Sequence, residues 1–188
     1  MTIVVNFFAE PGAGKTTMMA AVFTELKFLG INCEMATEYA KDLVWEDRSH
    51  AIANQLYISA KQFHRINRLN GKVDVIITDS PILLGIIYNK NPSTSFNEVL
   101  IEHFNRFENM NFLVERSGGE YKKEGRLQTE KESVEIRFEV AKLLHDYTDG
   151  CLCVDRSKKS VSVVVAKVLD KLGRKIDGNG YENKKSKA

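Results

Sequence analysis

Residues 9–17, AEPGAGKTT, have the composition and spacing of a phosphate-binding loop, and we call them the phosphate loop. They fit the pattern G-x-x-x-x-G-K-[ST], with Ala9 in place of the first glycine. Small residues here let successive backbone N–H groups face phosphate oxygens; Lys15 would reach the β- and γ-phosphates and Thr16 would face Mg²⁺. The predicted nucleotide-binding residues are Gly12, Ala13, Gly14, Lys15, Thr16 and Thr17. The spacing therefore predicts a site for ATP and Mg²⁺.

Asp79 is the first candidate for a catalytic carboxylate. It ends the apolar run VDVIITD and is followed by Ser80 and Pro81. At this place a carboxylate would hold Mg²⁺ together with Thr16, or would accept the proton of an attacking hydroxyl. An ATP-driven motor more often carries an Asp-Glu pair here, so the Asp-Ser pair favours a kinase. The alternative is an aspartate that only caps the following helix.

Glu38 is the second candidate acid. It lies in ATEYAKD, at the predicted junction between a strand and a helix. There it would bind a substrate hydroxyl or act as the general base, and the sequence leaves open whether this role belongs to Glu38 or Asp79. It would equally serve as a negative charge that the helix dipole stabilises.

The segment VERSGGEYKKEGRLQT predicts a lid over about residues 116–128. Arg116 and Arg126 bracket it, and three glycines between them would act as hinges. Arginines that close over a transferred phosphoryl group stabilise its negative charge, and their planar fork binds phosphate through two hydrogen bonds. Tyr121 would stack on the substrate or seal the site, and Arg137 is a third candidate arginine. The alternative is an ordinary solvated loop.

Strand patterns and helix patterns alternate along the chain, which predicts an α/β fold: a five-stranded parallel sheet with helices on both faces. The predicted strands are TIVVNFF, INCEMATE, VDVIITDSP, NFLVER and GCLCVD. Predicted helices include one continuous helix over residues 50–70, one over residues 96–110, and one that begins with a capping box formed by Thr129 and Glu132.

Ligands of such sheets bind beyond the carboxyl ends of the strands. The first strand would bring the phosphate loop to that edge. The second, third and fourth strands would bring Glu38, Asp79 and Arg116 to it. Four candidate groups therefore converge on one edge of the predicted sheet.

Composition predicts one soluble domain. The chain has 188 residues, 43% of them hydrophobic and 28% charged, with a net charge of +2. No apolar run approaches the roughly 20 residues that a membrane-spanning helix needs. We expect a kinase domain over residues 1–172 and a flexible basic tail over residues 173–188, which is either solvated or a weak contact to nucleic-acid phosphates. The three cysteines, Cys33, Cys151 and Cys153, are expected to be reduced core residues of a cytoplasmic protein.

The combination of AEPGAGKT, the strand-end TDSP and an arginine-containing segment before a long helix resembles the P-loop kinases of the nucleoside and nucleotide kinase-like type, over roughly residues 1–172. TEYAKD, ANQLYISAKQ and GRLQTEKES look like small phage and bacterial ATP-binding proteins related to the nicotinamide riboside kinase domain of bifunctional regulators of NAD biosynthesis. The resemblance implies that Glu38 and Gln55 line the acceptor site. It also implies a role in nucleotide metabolism or DNA modification, in the host cytoplasm if the protein is phage-encoded, and it allows a homodimer.

Three functions stay open at this point. The first is an ATP- and Mg²⁺-dependent kinase acting on a nucleoside, a nucleotide or a modified base. The second is a kinase that phosphorylates a 5-hydroxymethylpyrimidine within DNA. The third is an ATPase or nucleotide switch that acts on a protein or DNA partner. The near-neutral net charge disfavours a DNA-directed enzyme.

Overall fold

The computed structural model describes residues 2–91, 93–116 and 129–174, with Ser49 and Glu130 described by their backbone alone. Within these ranges, strands and helices alternate along the chain. The strands are β1 (Ile3–Phe8), β2 (Cys33–Ala36), β3 (Val75–Thr78), β4 (Glu108–Glu115) and β5 (Leu152–Asp155). The helices are α1 (Lys15–Phe28), α2 (Tyr39–Trp45), α3 (Ser49–Ile52), α4 (Gln55–Asn67), α5 (Leu84–Tyr88), α6 (Thr94–Phe104), α7 (Glu130–Tyr147) and α8 (Lys158–Lys171).

The five strands form one sheet in the order β2-β3-β1-β4-β5, and every neighbouring pair is parallel. This confirms the predicted α/β class with a five-stranded parallel sheet. The chain leaves β1 towards β2 and β3 on one side, then crosses to β4 and β5 on the other. The centre of the sheet is therefore a topological switch point, where the connections diverge and leave a crevice beyond the strand ends.

Helices cover both faces of the sheet, as predicted. All six residues of β1 are buried, and their side chains alternate between two apolar layers. Ile3, Val5 and Phe7 pack with residues of α1 and α8. Val4 packs with α4 and α6, and Phe8 packs with α5, α6 and α7. Burial on both faces explains why β1 reads as a continuous apolar run rather than an alternating one.

The continuous helix predicted over residues 50–70 was wrong. The structure has two helices there, because Asn54 adopts a non-helical backbone and its side-chain oxygen accepts a hydrogen bond from the Tyr57 N–H, 3.1 Å away. Asparagine at this position satisfies one of the free N–H groups at the start of α4. Leu56, in the first turn of α4, is 65% exposed despite its apolar side chain.

The helix predicted over residues 96–110 was also too long. It ends at Phe104, and Glu108 already begins β4 in register with Ile3. The Asn109 amide donates hydrogen bonds to the carbonyls of Phe104 and Phe107, which closes the end of α6. The same side chain accepts a hydrogen bond from Asn6 of β1, so tertiary pairing overrides the helical pattern.

The cysteines are free, as predicted, but only Cys33 is a core residue. Cys151 and Cys153 are exposed, because β5 is an edge strand and the face on which they lie is left uncovered. Burial raises the pKa of the Cys33 thiol to about 11.

In the described part of the chain, no helix combines the length and apolar character needed to cross a membrane. Gly173 and Arg174 close α8 through hydrogen bonds to its last turns, and Arg174 pairs with Asp74 at 3.3 Å. The remainder of the predicted tail, residues 175–188, lies outside the described residues.

Candidate functional site

The phosphate loop joins β1 to α1 at the carboxyl edge of the sheet. Gly12 and Gly14 have φ values of 88° and 106°, a backbone conformation that residues other than glycine rarely adopt. Gly14 is the N-cap residue of α1, and its carbonyl accepts the N–H of Met18 at 3.0 Å. Ala9 needs no such freedom, because among the described residues only Asp47 has positive φ without being glycine. Its departure from the glycine pattern is therefore compatible with the loop.

Lys15 is the first residue of α1 and lies over the start of the phosphate loop. Its ammonium donates hydrogen bonds to the carbonyls of Ala9 and Glu10, at 2.9 and 3.1 Å. The cation is thus held beside the helix N-terminus, which itself carries a partial positive charge. Two positive groups at one end of α1 make an anion site.

Thr16 and Asp79 meet across the crevice between β1 and β3. The Thr16 hydroxyl donates to the Asp79 Oδ2 at 2.5 Å, although 63 residues separate them in the sequence. Asp79 is only 2% exposed, and its second oxygen, Oδ1, is buried without a hydrogen-bond partner among the described residues. A buried carboxylate oxygen with an unused lone pair, beside a hydroxyl, suits a hard cation such as Mg²⁺.

Helix α7 is attached to the back of the phosphate loop. The Ser133 hydroxyl, which is fully buried, donates to the Pro11 carbonyl at 2.7 Å. Helix α7 begins with the predicted capping box: Thr129 and Glu132 each bond the backbone N–H of the other. These bonds lower the pKa of Glu132, since both the N–H and the hydroxyl of Thr129 stabilise its carboxylate. The first turn of α7 is therefore fixed next to the loop.

Arg156 is a residue of the site that the sequence did not single out. It follows β5, and a Cβ placed on Gly14 would lie 2.8 Å from its Cδ. The arginine stem thus crosses directly over Gly14. The positive φ favours glycine there, and a Cβ would also force the Arg156 side chain to shift. No motif signals the contact, because it joins a loop to the end of a distant strand.

The arginines predicted for the lid are only partly described. Arg116 is half-buried directly after β4. Arg137 of α7 comes within 3.8 Å of Glu115, so it also lies at the carboxyl end of β4. The rest of the predicted lid, including Tyr121 and Arg126, lies outside the described residues.

Glu38 is at the carboxyl end of β2, as predicted. It is the N-cap residue of α2, but its carboxylate makes no capping hydrogen bond. Adjacent strands are about 4.8 Å apart, so β2 lies about 10 Å from β1. Lys15, Asp79 and Arg116 therefore come from three adjacent strand ends, and Glu38 from one strand further out.

Two side chains of α4 hold the start of α2. The Gln62 Oε1 accepts the Tyr39 N–H at 2.9 Å, and the Tyr39 and Tyr57 hydroxyls are 2.6 Å apart. This hydrogen bond to Tyr57, and to a lesser extent burial, raises the pKa of Tyr39. Glu38 is thereby positioned through its neighbour in the chain.

Gln55 lines a separate cavity of about 510 Å³ above the β2 and β3 side of the sheet. Its Oε1 is buried and has no hydrogen-bond partner in the described structure. The other lining residues are mainly amides and apolar groups: His50, Ala53, Asn54, Leu56, Asn89, Asn91 and Phe96. Below it, Ser59 packs so closely on Gly85 that a Cβ there would meet its hydroxyl at 2.5 Å. Glu38 does not line this cavity.

Comparison with known proteins adds no assignment: no family model matches the chain, and no curated protein sequence is significantly similar to it. The geometry described above is therefore what supports a function.

Proposed function

We propose that this protein is an ATP- and Mg²⁺-dependent kinase that transfers the γ-phosphoryl group to a nucleoside, a nucleotide or a modified base. The observation that carries the proposal is the contact of Thr16 with Asp79 beside the phosphate loop. Such a hydroxyl and carboxylate at the switch point of a parallel sheet, with an anion site next to them, suit a metal-bound nucleotide. The resemblance of the motifs to P-loop kinases points the same way.

The described residues fit both cofactors. Thr16 and Asp79 would hold Mg²⁺, because Asp79 has a buried oxygen with no hydrogen-bond partner in the described part of the chain. Bound Mg²⁺ would neutralise part of the phosphate charge. Gly14 would let the backbone approach the phosphates closely, and the N-terminus of α1 would add its dipole.

The reaction would be an in-line transfer. The acceptor hydroxyl oxygen forms a bond to the γ-phosphorus, the bond from that phosphorus to the β–γ bridging oxygen breaks, and ADP leaves with the bonding electron pair. The hydroxyl proton passes to a carboxylate. Asp79 already accepts a hydrogen bond from Thr16, so we assign the proton to Glu38. Lys15 and Arg116 would offset the charge that develops on the transferred group.

The cavity at Gln55 would hold the base or ring of the acceptor, while its reacting hydroxyl would lie outside the cavity, on the side of Glu38. Its volume, about 510 Å³, falls within the range of small-molecule sites. Amide groups can pair with the donor and acceptor edge of a base or a carboxamide, and the ring of Phe96 at the wall offers apolar contact.

The free cysteines fit a reducing compartment, and we expect the enzyme to act in the cytoplasm.

Transfer of labelled phosphate tests the proposal. The protein is incubated with Mg²⁺ and γ-labelled ATP alone, then with pools of nucleosides, nucleoside monophosphates or modified DNA. We expect label in one pool, and a loss of transfer in Lys15→Ala. The matched control is Lys27→Ala on the same helix, an exposed lysine that pairs with Glu34 and lies over the Phe23 ring. Release of labelled phosphate at a comparable rate without any acceptor would show an ATPase and overturn the proposal.

A further inference from the structure

A second concave surface lies at the open edge of the sheet, away from the phosphate loop. We call it the β2 groove: a cavity of about 450 Å³ lined by residues of β2, α2 and α4. Thr37 and Tyr39 lie at its end nearest the carboxyl edge, and Arg68 of the segment after α4 also lines it. Because β2 is an edge strand, the groove is open along its outer side.

The charge along one wall of the groove has a single sign. Residues 54–73 contain four lysines and arginines and no acidic residue. The basic residues that line the groove are Lys61, His64, Arg65 and Arg68. Their spacing of i, i+3, i+4 and i+7 places them on one side of a helix. The near-neutral total charge of the protein therefore conceals a locally positive surface.

One of these cations is already used within the protein. Arg65 forms an ion pair with Asp42, donates to the carbonyl and hydroxyl of Thr37 at 3.1 and 3.0 Å, and lies 5.1 Å from the centre of the Tyr39 ring. These contacts hold the groove in shape and neutralise Asp42, its one acidic lining residue.

The two other cations, Lys61 and Arg68, keep their charge available. They form no ion pair with any carboxylate that the structure describes. Lys61 instead lies 5.6 Å from the centre of the Tyr57 ring. A basic helix face is often only solvated. This one differs because its cations line a concave surface with an aromatic ring at one end, which is how grooves for nucleic-acid strands are built.

The spacing of the cations suits a strand that carries several phosphates. Arg68 follows Lys61 by seven positions, which is about 10.5 Å along the axis at the rise of an α-helix. Each of the two cations can therefore contact a different phosphate of one strand. The groove also begins next to Glu38, so a strand lying in it would pass the proposed general base.

We propose that the β2 groove binds the phosphodiester backbone of a single nucleic-acid strand, so that the group phosphorylated at the site is carried on a polymer. The link to phosphorylation rests on the proposed kinase function; the binding itself does not. The backbone contacts would be electrostatic and independent of sequence.

The test is binding of a fluorescent single-stranded oligonucleotide, without ATP, at 50 to 200 mM salt. Each lost contact lowers the salt slope by about 0.7 for a single strand, so Lys61→Gln/Arg68→Gln should lower it by about 1.4. Between these salt concentrations the fall in affinity should then be about sevenfold smaller than in the wild type. The matched control, Lys142→Gln/Lys167→Gln, removes the same charge from exposed positions on α7 and α8 and should keep the wild-type slope.

An unchanged slope in the groove variant, or an equal fall in the control, would overturn the proposal. If the groove variant loses as much affinity for a nucleoside monophosphate as for the oligonucleotide, the ligand is a phosphomonoester and the assignment to a phosphodiester backbone is wrong. Label transfer separates the two proposals. If the wild type phosphorylates no acceptor but the groove variant loses oligonucleotide binding, the groove proposal holds and the kinase proposal fails. If the wild type phosphorylates free nucleosides and the groove variant binds the oligonucleotide as well as the wild type does, the kinase proposal holds and the groove proposal fails.

Discussion

Replacing Asp79 by asparagine should raise the stability of the free protein while it removes activity. Asp79 is 2% exposed, and no residue that the structure describes bonds its buried Oδ1. Burying a charge costs an effective penalty of several kcal/mol. Replacing the carboxylate by a neutral amide removes that penalty but leaves one polar atom of the side chain unpaired, so the net stabilisation of the fold should be about 1 kcal/mol or more. For a chain of this size, 1 kcal/mol corresponds to about 2–4 °C in Tm.

The same substitution should abolish the response to nucleotide. A ligand at 100 times its Kd stabilises the folded state by about 2.7 kcal/mol, or about 5–10 °C. We expect this shift with Mg²⁺ and ATP in the wild type and little of it in Asp79→Asn. Loss of a group that organises transition-state charge typically lowers kcat by about 10²- to 10³-fold.

Thermal unfolding with and without Mg²⁺ and ATP, together with the transfer assay, measures both effects. Asp74→Asn is the matched control, because Asp74 precedes the same strand at its other end and is paired with Arg174 at the surface. The free energy of unfolding of that variant should fall by less than about 1 kcal/mol, and its Tm should still rise with Mg²⁺ and ATP. A lower Tm in Asp79→Asn with an intact nucleotide shift would refute the reasoning, since the carboxylate would then be structural.

Three further outcomes follow from the structure. Gly14→Ala should lower Tm and weaken ATP binding, because its φ of 106° costs a side chain about 1–2 kcal/mol and the added Cβ would meet Arg156; thermal unfolding and ATP titration measure this. Glu132→Gln should lower Tm at pH 7 and lower it progressively less as the pH falls below 4.5. The Thr129 bonds lower the folded-state pKa of Glu132, so their stabilisation is present above the ordinary pKa of 4.5 and is lost as pH falls through the folded-state value; a loss of Tm that does not shrink with pH would contradict this. A thiol reagent should label two cysteines of the native protein quickly and spare the buried Cys33, as mass spectrometry of the labelled protein would show.

The phosphate end of the site could be predicted from the sequence because its chemistry is local. The phosphate loop is contiguous, and the positive φ of Gly12 and Gly14 is what the glycines predict. Asp79 is distant in sequence, but its position after a buried apolar run and the rule that parallel strands end together were enough to bring it to Thr16. The capping box of α7 is equally local, and it formed as predicted.

The prediction was weaker wherever a neighbour in space decides the outcome. The helix predicted over residues 96–110 ends early because Asn109 bonds both to α6 and to Asn6 in β1. Cys153 has the apolar surroundings of a core residue in the sequence, yet strand order places it at an exposed edge. Nothing in the residues near Arg156 reveals that its stem crosses Gly14.

The proposed acceptor end depends on such contacts almost entirely, which is why the sequence suggested Glu38 and Gln55 but not the β2 groove. Arg65 reaches back 28 residues to Thr37, and Gln62 reaches back 23 residues to the start of α2. These bonds bring one positive face of α4 beside the edge strand. Basic residues that are separated in the sequence therefore line one groove. A total charge of +2 argued against a nucleic-acid partner; the distribution of that charge in the fold argues for one.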